Sequence, residues 1–104
     1  MTPTKVKAVF QIYLARLDTQ YPNVEPQQMT PNAQMHEVSR GLTYETEIAH
    51  LKYVCIQGQK FLDEGHAEKS MRWLGFIQGV LWARGMYTLD DLKNHNRPRY
   101  DLEP

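Results

Sequence analysis

A single cysteine, Cys55, in 104 residues leaves no intramolecular disulfide to close, which fits a reducing compartment. Net charge is also missing: 12 Lys and Arg balance 12 Asp and Glu, so no global field recruits nucleic acid or an anionic membrane. No apolar run approaches the roughly 20 residues that a membrane span needs. The opening MTPTKVKAVF lacks the apolar core and cleavage site of a signal peptide. A cytoplasmic, soluble chain with no membrane partner is therefore expected. Strand alternation, internal repeats and low-complexity tracts are lacking as well, so the domain reads as all-α.

Recognisable chemistry is equally sparse. The chain has no GxSxG elbow, no phosphate loop and no dinucleotide fingerprint. His36 and Glu37 begin like a zinc-protease motif, but HEVSR lacks the second histidine one turn on. His50, His66 and His95 have no close spacing with one another or with Cys55, whereas structural zinc sites pair their ligands a few residues apart. Cys55 falls on an apolar helix stripe, the setting of an inert buried thiol rather than a nucleophile. His50 sits at the margin of the same stripe, where a hydrogen-bonded, half-buried imidazole is expected rather than a general base. No catalytic residue, cofactor or metal ligand is assigned, and the chain reads as a non-enzyme.

What is present is an ordinary globular balance, 41% hydrophobic and 23% charged residues. It suits one helical domain over 1–96 followed by a tail, 97–104. Thr2 and Pro3 form a helix start, a hydroxyl cap before a proline whose missing N–H costs nothing there. Val6, Val9, Phe10, Tyr13 and Leu17 then recur at helical spacing, and Pro22 disfavours helix at Tyr21, which predicts a helix over 3–19. Residues 21–42 hold Pro22, Pro26 and Pro31 and read as a strap. Thr30, Pro31 and Gly41 mark a short helix within it over 31–40, with Met35 and Val38 touching the core.

Thr43 is the expected cap of the next helix, with Glu45 and Glu47 at its positive end. Tyr44, Ile48, Leu51, Cys55, Gly58 and Leu62 make one stripe, widened by Val54 and Phe61, and Gly65 supplies the stop, giving a helix over 44–64. A second follows over 67–84 and ends at Gly85. The short turn between them makes an antiparallel hairpin, the centre of a small helical bundle. Within this hairpin Gly58 is expected to meet the small residues of the second helix. Thr88 and Asp91 form a capping box for a short last helix ending near Asn96 and Pro98.

The most apolar stretch, RWLGFIQGVLW over 72–82, holds both tryptophans. Wound at about 100° per residue, it places Trp73, Leu74, Phe76, Ile77, Val80 and Leu81 on a wide arc expected to form the core. Gly75, Gly79 and Ala83 form a stripe of small residues beside that arc, flanked by Trp82. So apolar a helix is expected to be buried. The paired glycines cost roughly 0.8–1 kcal/mol each relative to alanine, which close approach of another backbone can offset. The stripe reads either as packing inside the core or as a subunit interface built from Gly75, Gly79, Trp82 and Ala83.

Basic side chains supply a second candidate site. Lys69, Arg72 and Arg84 on the 67–84 helix could contact a phosphate; alternatively they pair with nearby acids or complement a helix end. Arg97, Arg99 and Tyr100 in the tail offer a nucleic-acid contact, which zero net charge disfavours. Asp63 and Glu64 stand at a helix C-terminus, the wrong end for the dipole, so they either serve a partner or are simply solvated.

The block from Glu45 to Pro98, above all EKSMRWLGFIQGVLWARG followed by TLDDLKNHNRP, resembles a group of small helical proteins encoded by tailed bacteriophages. The resemblance spans about half the chain and leaves out the first helix and the strap. It implies a phage setting, in an infected bacterial host, and the roles of short early phage products: blocking host factors or sequestering defence signals. It transfers no catalytic residue. The expectation is a homo-oligomeric accessory protein that binds a host protein. The alternatives are a module sequestering a signalling nucleotide, or nucleic-acid binding through the tail.

Overall fold

A computed structural model describes residues 1–29, 44–98 and 102. The described residues hold four helices and no strand: α1 (Pro3–Gln20), α2 (Tyr44–Asp63), α3 (Ala67–Ala83) and α4 (Leu89–Asn96). α2 is central. It packs on α1 along one side and on α3 along another, and α4 lies against α1. The expected helix over 31–40, with Met35 and Val38, lies outside the described residues, as do its markers Thr30, Pro31 and Gly41 and the cap expected at Thr43.

Local chemistry sets each helix end. Thr2 Oγ1 accepts from the Lys5 amide at 3.2 Å, and Pro3 opens α1. α2 stops at a Schellman turn: the His66 amide donates to Phe61 O at 2.7 Å and the Gly65 amide to Leu62 O at 3.1 Å. That geometry needs the left-handed backbone which Gly65 adopts, φ +83°. α3 ends the same way at Gly85. Thr88 and Asp91 close the capping box of α4, and the Thr88 amide bond holds the Asp91 carboxyl below its ordinary range.

The core is built from Val6, Val9, Phe10, Tyr13 and Leu17 of α1, Ile48, Leu51, Val54 and Cys55 of α2, and Leu74, Ile77 and Leu81 of α3, with Leu92 of α4 closing one end. Each such side chain contributes about 1.5–3 kcal/mol on burial. Leu102, beyond α4, also packs on this cluster. Two expectations need correction. α3 is not buried all round: only Ser70, Leu74, Ile77 and Leu81 are enclosed, Trp73 and Val80 are half-buried, and Phe76 faces out. The other described helices cover a single side of α3. Gly58, in turn, does not meet the Gly75, Gly79 and Ala83 stripe of α3. A Cβ there would stand 2.4 Å from the Phe10 ring, so its vacancy admits an α1 aromatic, while its carbonyl accepts from Ser70 Oγ at 2.7 Å.

Polar side chains inside the bundle are matched among the described residues except at Tyr87, whose buried hydroxyl has no hydrogen-bond partner. Gln78 Nε2 donates to Tyr13 Oη at 3.0 Å, and Tyr13 Oη lies 2.9 Å from His95 Nδ1. The tyrosine therefore gives its one proton to His95, whose own proton resides on Nε2. Burial pushes the Tyr13 hydroxyl pKa up and the His95 pKa down, which keeps both neutral. Gln78 also bonds Asn96 Oδ1 at 2.8 Å, so one cluster ties α1, α3 and α4 together.

Residues 22–29 form an irregular strap whose anchor is Lys52, a lysine only 1% exposed. Its ammonium donates to Tyr21 O at 2.7 Å and Val24 O at 2.8 Å and pairs with Asp18 at 2.9 Å. Further along, the Gln27 amide donates to Ala49 O and the Met29 amide to His50 Nδ1, each at 3.0 Å.

Candidate functional site

The outward side of α3 is unlike the rest of the surface. Phe76 and Trp82 are each 52% exposed, and between them run Gly75, Gly79 and Ala83, also exposed. A Cβ built on Gly75 or on Gly79 would meet nothing within 4 Å. Of the two readings of the glycine stripe, packing inside the core is thereby excluded among the described residues. The stripe is a shallow open groove with an aromatic edge on either side. Arg72 stands in line with it, exposed, and makes no hydrogen bond, ion pair or ring contact with any described residue.

Beside this face lies a half-open cavity of about 520 Å³ between α2, α3 and the strap. Met29, Leu51, Phe76, Val80 and Ala83 make it apolar, and His50 lines one wall. Because His50 Nδ1 accepts from the Met29 amide, its proton sits on Nε2; burial lowers its pKa and holds the ring neutral. At the cavity margin Arg84 pairs with Glu47 at 2.7 Å and also bonds Tyr21. Burial pulls the guanidinium pKa down, but these bonds outweigh it and leave the pKa raised.

The three cations proposed as phosphate contacts do not converge. Lys69 and Arg72 share an open hollow of about 420 Å³ at the start of α3, with Gly65, His66 and Glu68. Arg84 sits at the other end of the helix, about 22 Å away at the usual rise, and it is committed to Glu47. Lys69 lies over the Phe61 ring at 4.5 Å rather than against Glu68. In the tail, Arg97 bonds Asn94 at 2.6 Å, while Arg99 and Tyr100 lie outside the described residues. Asp63, mismatched to its helix dipole, pairs with Lys7 of α1 at 3.2 Å, which accounts for it without a partner.

Cys55 is fully buried and its thiol pKa is pushed up by that burial, the opposite of an activated nucleophile. Among the described residues no three His, Cys, Asp or Glu side chains are grouped to hold a metal ion. No described helix is long and apolar enough to cross a membrane. Two features escaped the sequence reading. Phe76 was placed in the core because it borders the apolar arc, and periodicity alone could not say where that arc stops. The role of Lys52 is the other, since nothing local in the sequence marks the carbonyls it satisfies. No family model matches this chain, and neither a curated protein nor a solved structure does.

Proposed function

We propose that this chain is a non-enzymatic accessory protein of phage type, which self-associates and binds a host component through the outer face of α3. One observation carries the reading. The half-exposed Phe76 and Trp82 border a groove that Gly75 and Gly79 keep open, and no described side chain fills it. Two interior glycines on a solvent-facing helix cost stability without a local return, which a docked backbone would supply. Exposed aromatic anchors are the side chains that dominate protein interfaces. The phage setting rests on the resemblance of the Glu45 to Pro98 block. The competing reading, a module that sequesters a signalling nucleotide, needs Lys69, Arg72 and Arg84 to act together, and their separation weakens it.

Light scattering after size exclusion tests the reading directly. The protein at micromolar concentration is expected to run as a dimer or larger assembly. Gly79→Gln, which fills the groove with a better helix former, runs as a monomer whose intrinsic stability is higher by about 0.5–1 kcal/mol. A variant that stays assembled places the interface elsewhere.

A further inference from the structure

We propose that α3 pairs antiparallel with the α3 of a second copy, Gly75 facing the second copy's Gly79 and Arg72 lying over its Trp82. This rests on the self-association reading above and specifies its geometry. The argument starts from where these residues stand. Gly75 and Gly79 lie equally far from Ile77 on either side, and so do Arg72 and Trp82. A two-fold axis across the helix at that level therefore brings each member of one pair onto the other member in the second copy. The glycines allow the two backbones to approach, since neither position has an atom within 4 Å to obstruct it.

Chemistry selects this arrangement over the parallel one. Side by side and parallel, the helices would oppose Arg72 with Arg72 and align their dipoles. Antiparallel pairing sets a guanidinium without a partner among the described residues against an indole 52% exposed, twice per dimer. A cation over a tryptophan face is the strongest form of that contact, and it strengthens as water leaves. Glu68, also exposed on this side, falls beyond the end of the second copy's helix and stays hydrated. Zero net charge means that no overall repulsion opposes pairing.

The decisive experiment uses two cysteine substitutions in the full chain, Gly75→Cys and Gly79→Cys, oxidised separately and as a mixture. The native Cys55 does not compete, because it is fully buried. The mixture is expected to give the mixed 75–79 disulfide, and each variant alone little homodimer. Arg72→Ala and Trp82→Ala are each expected to weaken the dimer about tenfold, with the double variant little weaker than either single one. Homodisulfides in the separate samples indicate the parallel arrangement and overturn the inference. So does an Arg72→Ala dimer of unchanged affinity. If Gly79→Gln dissociates the assembly but no mixed disulfide forms, the register is refuted while the role of the face stands. A protein that is monomeric at the outset refutes self-association and this geometry together, and leaves the face to a host protein.

Discussion

Gly58 and Gly79 sit on neighbouring helices, yet their missing side chains do opposite things. At Gly58 the space is taken by the buried Phe10 ring, whose nearest atom would be 2.4 Å from a Cβ. Phe10 is held on every side by the core, so it has nowhere to retreat. Gly58→Ala is expected to lower stability by about 1–3 kcal/mol in urea denaturation. Gly79→Ala meets open space within one chain and should raise the stability of the monomeric form, at concentrations too low for assembly, by about 0.5–1 kcal/mol. Similar losses at both positions in the monomeric form would mean that the α3 groove is packed within the chain itself. Arg84 makes the same point for charge: an arginine at a helix end resembles a dipole complement, but the structure spends it on Glu47 and Tyr21.

At the scale of elements, the strap and α2 behave as one unit because Lys52 joins them. Its ammonium replaces lost water with two carbonyls and a carboxylate, all within 2.9 Å. Asp18 is itself more than half exposed, so the ionic part is screened and the two carbonyl bonds matter more. Lys52→Met keeps most of the packing volume and removes the donor. It should cost about 1.5–3 kcal/mol and accelerate amide exchange at Gln27 and Met29 more than in α3. Unchanged protection along the strap would show that Ala49 and His50 hold it unaided. α4, eight residues long, is likewise secured by tertiary bonds. Its capping box starts it, and His95 and Asn96 fasten it to Tyr13 and Gln78.

Across the whole molecule, two histidines, the buried His95 and the half-buried His50, link the fold to pH. His50 accepts a bond that pins the strap to α2, and His95 accepts one that pins α4 to α1. Burial lowers both pKa values from an ordinary 6.5. The unfolded chain therefore takes up protons first, so the stability from these groups is complete above pH 6.5 and is lost as pH falls toward the lower folded values. Protonation at Nδ1 would also abolish both bonds. The melting temperature should be level between about pH 8 and 7 and decline between about pH 6.5 and 5, before most carboxylates titrate. His50→Gln combined with His95→Gln should flatten that decline. A flat profile in the native chain would contradict the assignment of both imidazoles as neutral acceptors.

Much of the architecture was legible because it is encoded locally. Thr2 and Pro3, Gly65, Gly85, and the Thr88 and Asp91 box act through bonds only a few residues long, so helix boundaries matched their signals to the residue or its neighbour. Periodicity likewise identified the inward residues of α1 and α2, and the small residues of α3 stood out as a stripe. What a helix cannot encode alone is which part of a wide apolar arc its neighbours will cover. That depends on where α2 lies against α3, and it decided that Leu74, Ile77 and Leu81 are enclosed while Phe76 and Trp82 face outward. The same long-range placement gave Lys52 its carbonyls, Arg84 its carboxylate and Gly58 its aromatic ring. The sequence by itself determined the helices and their ends, because capping and turn bonds are short-range. Only the tertiary structure decided which glycines are filled and which are open, because that is a property of the space between helices.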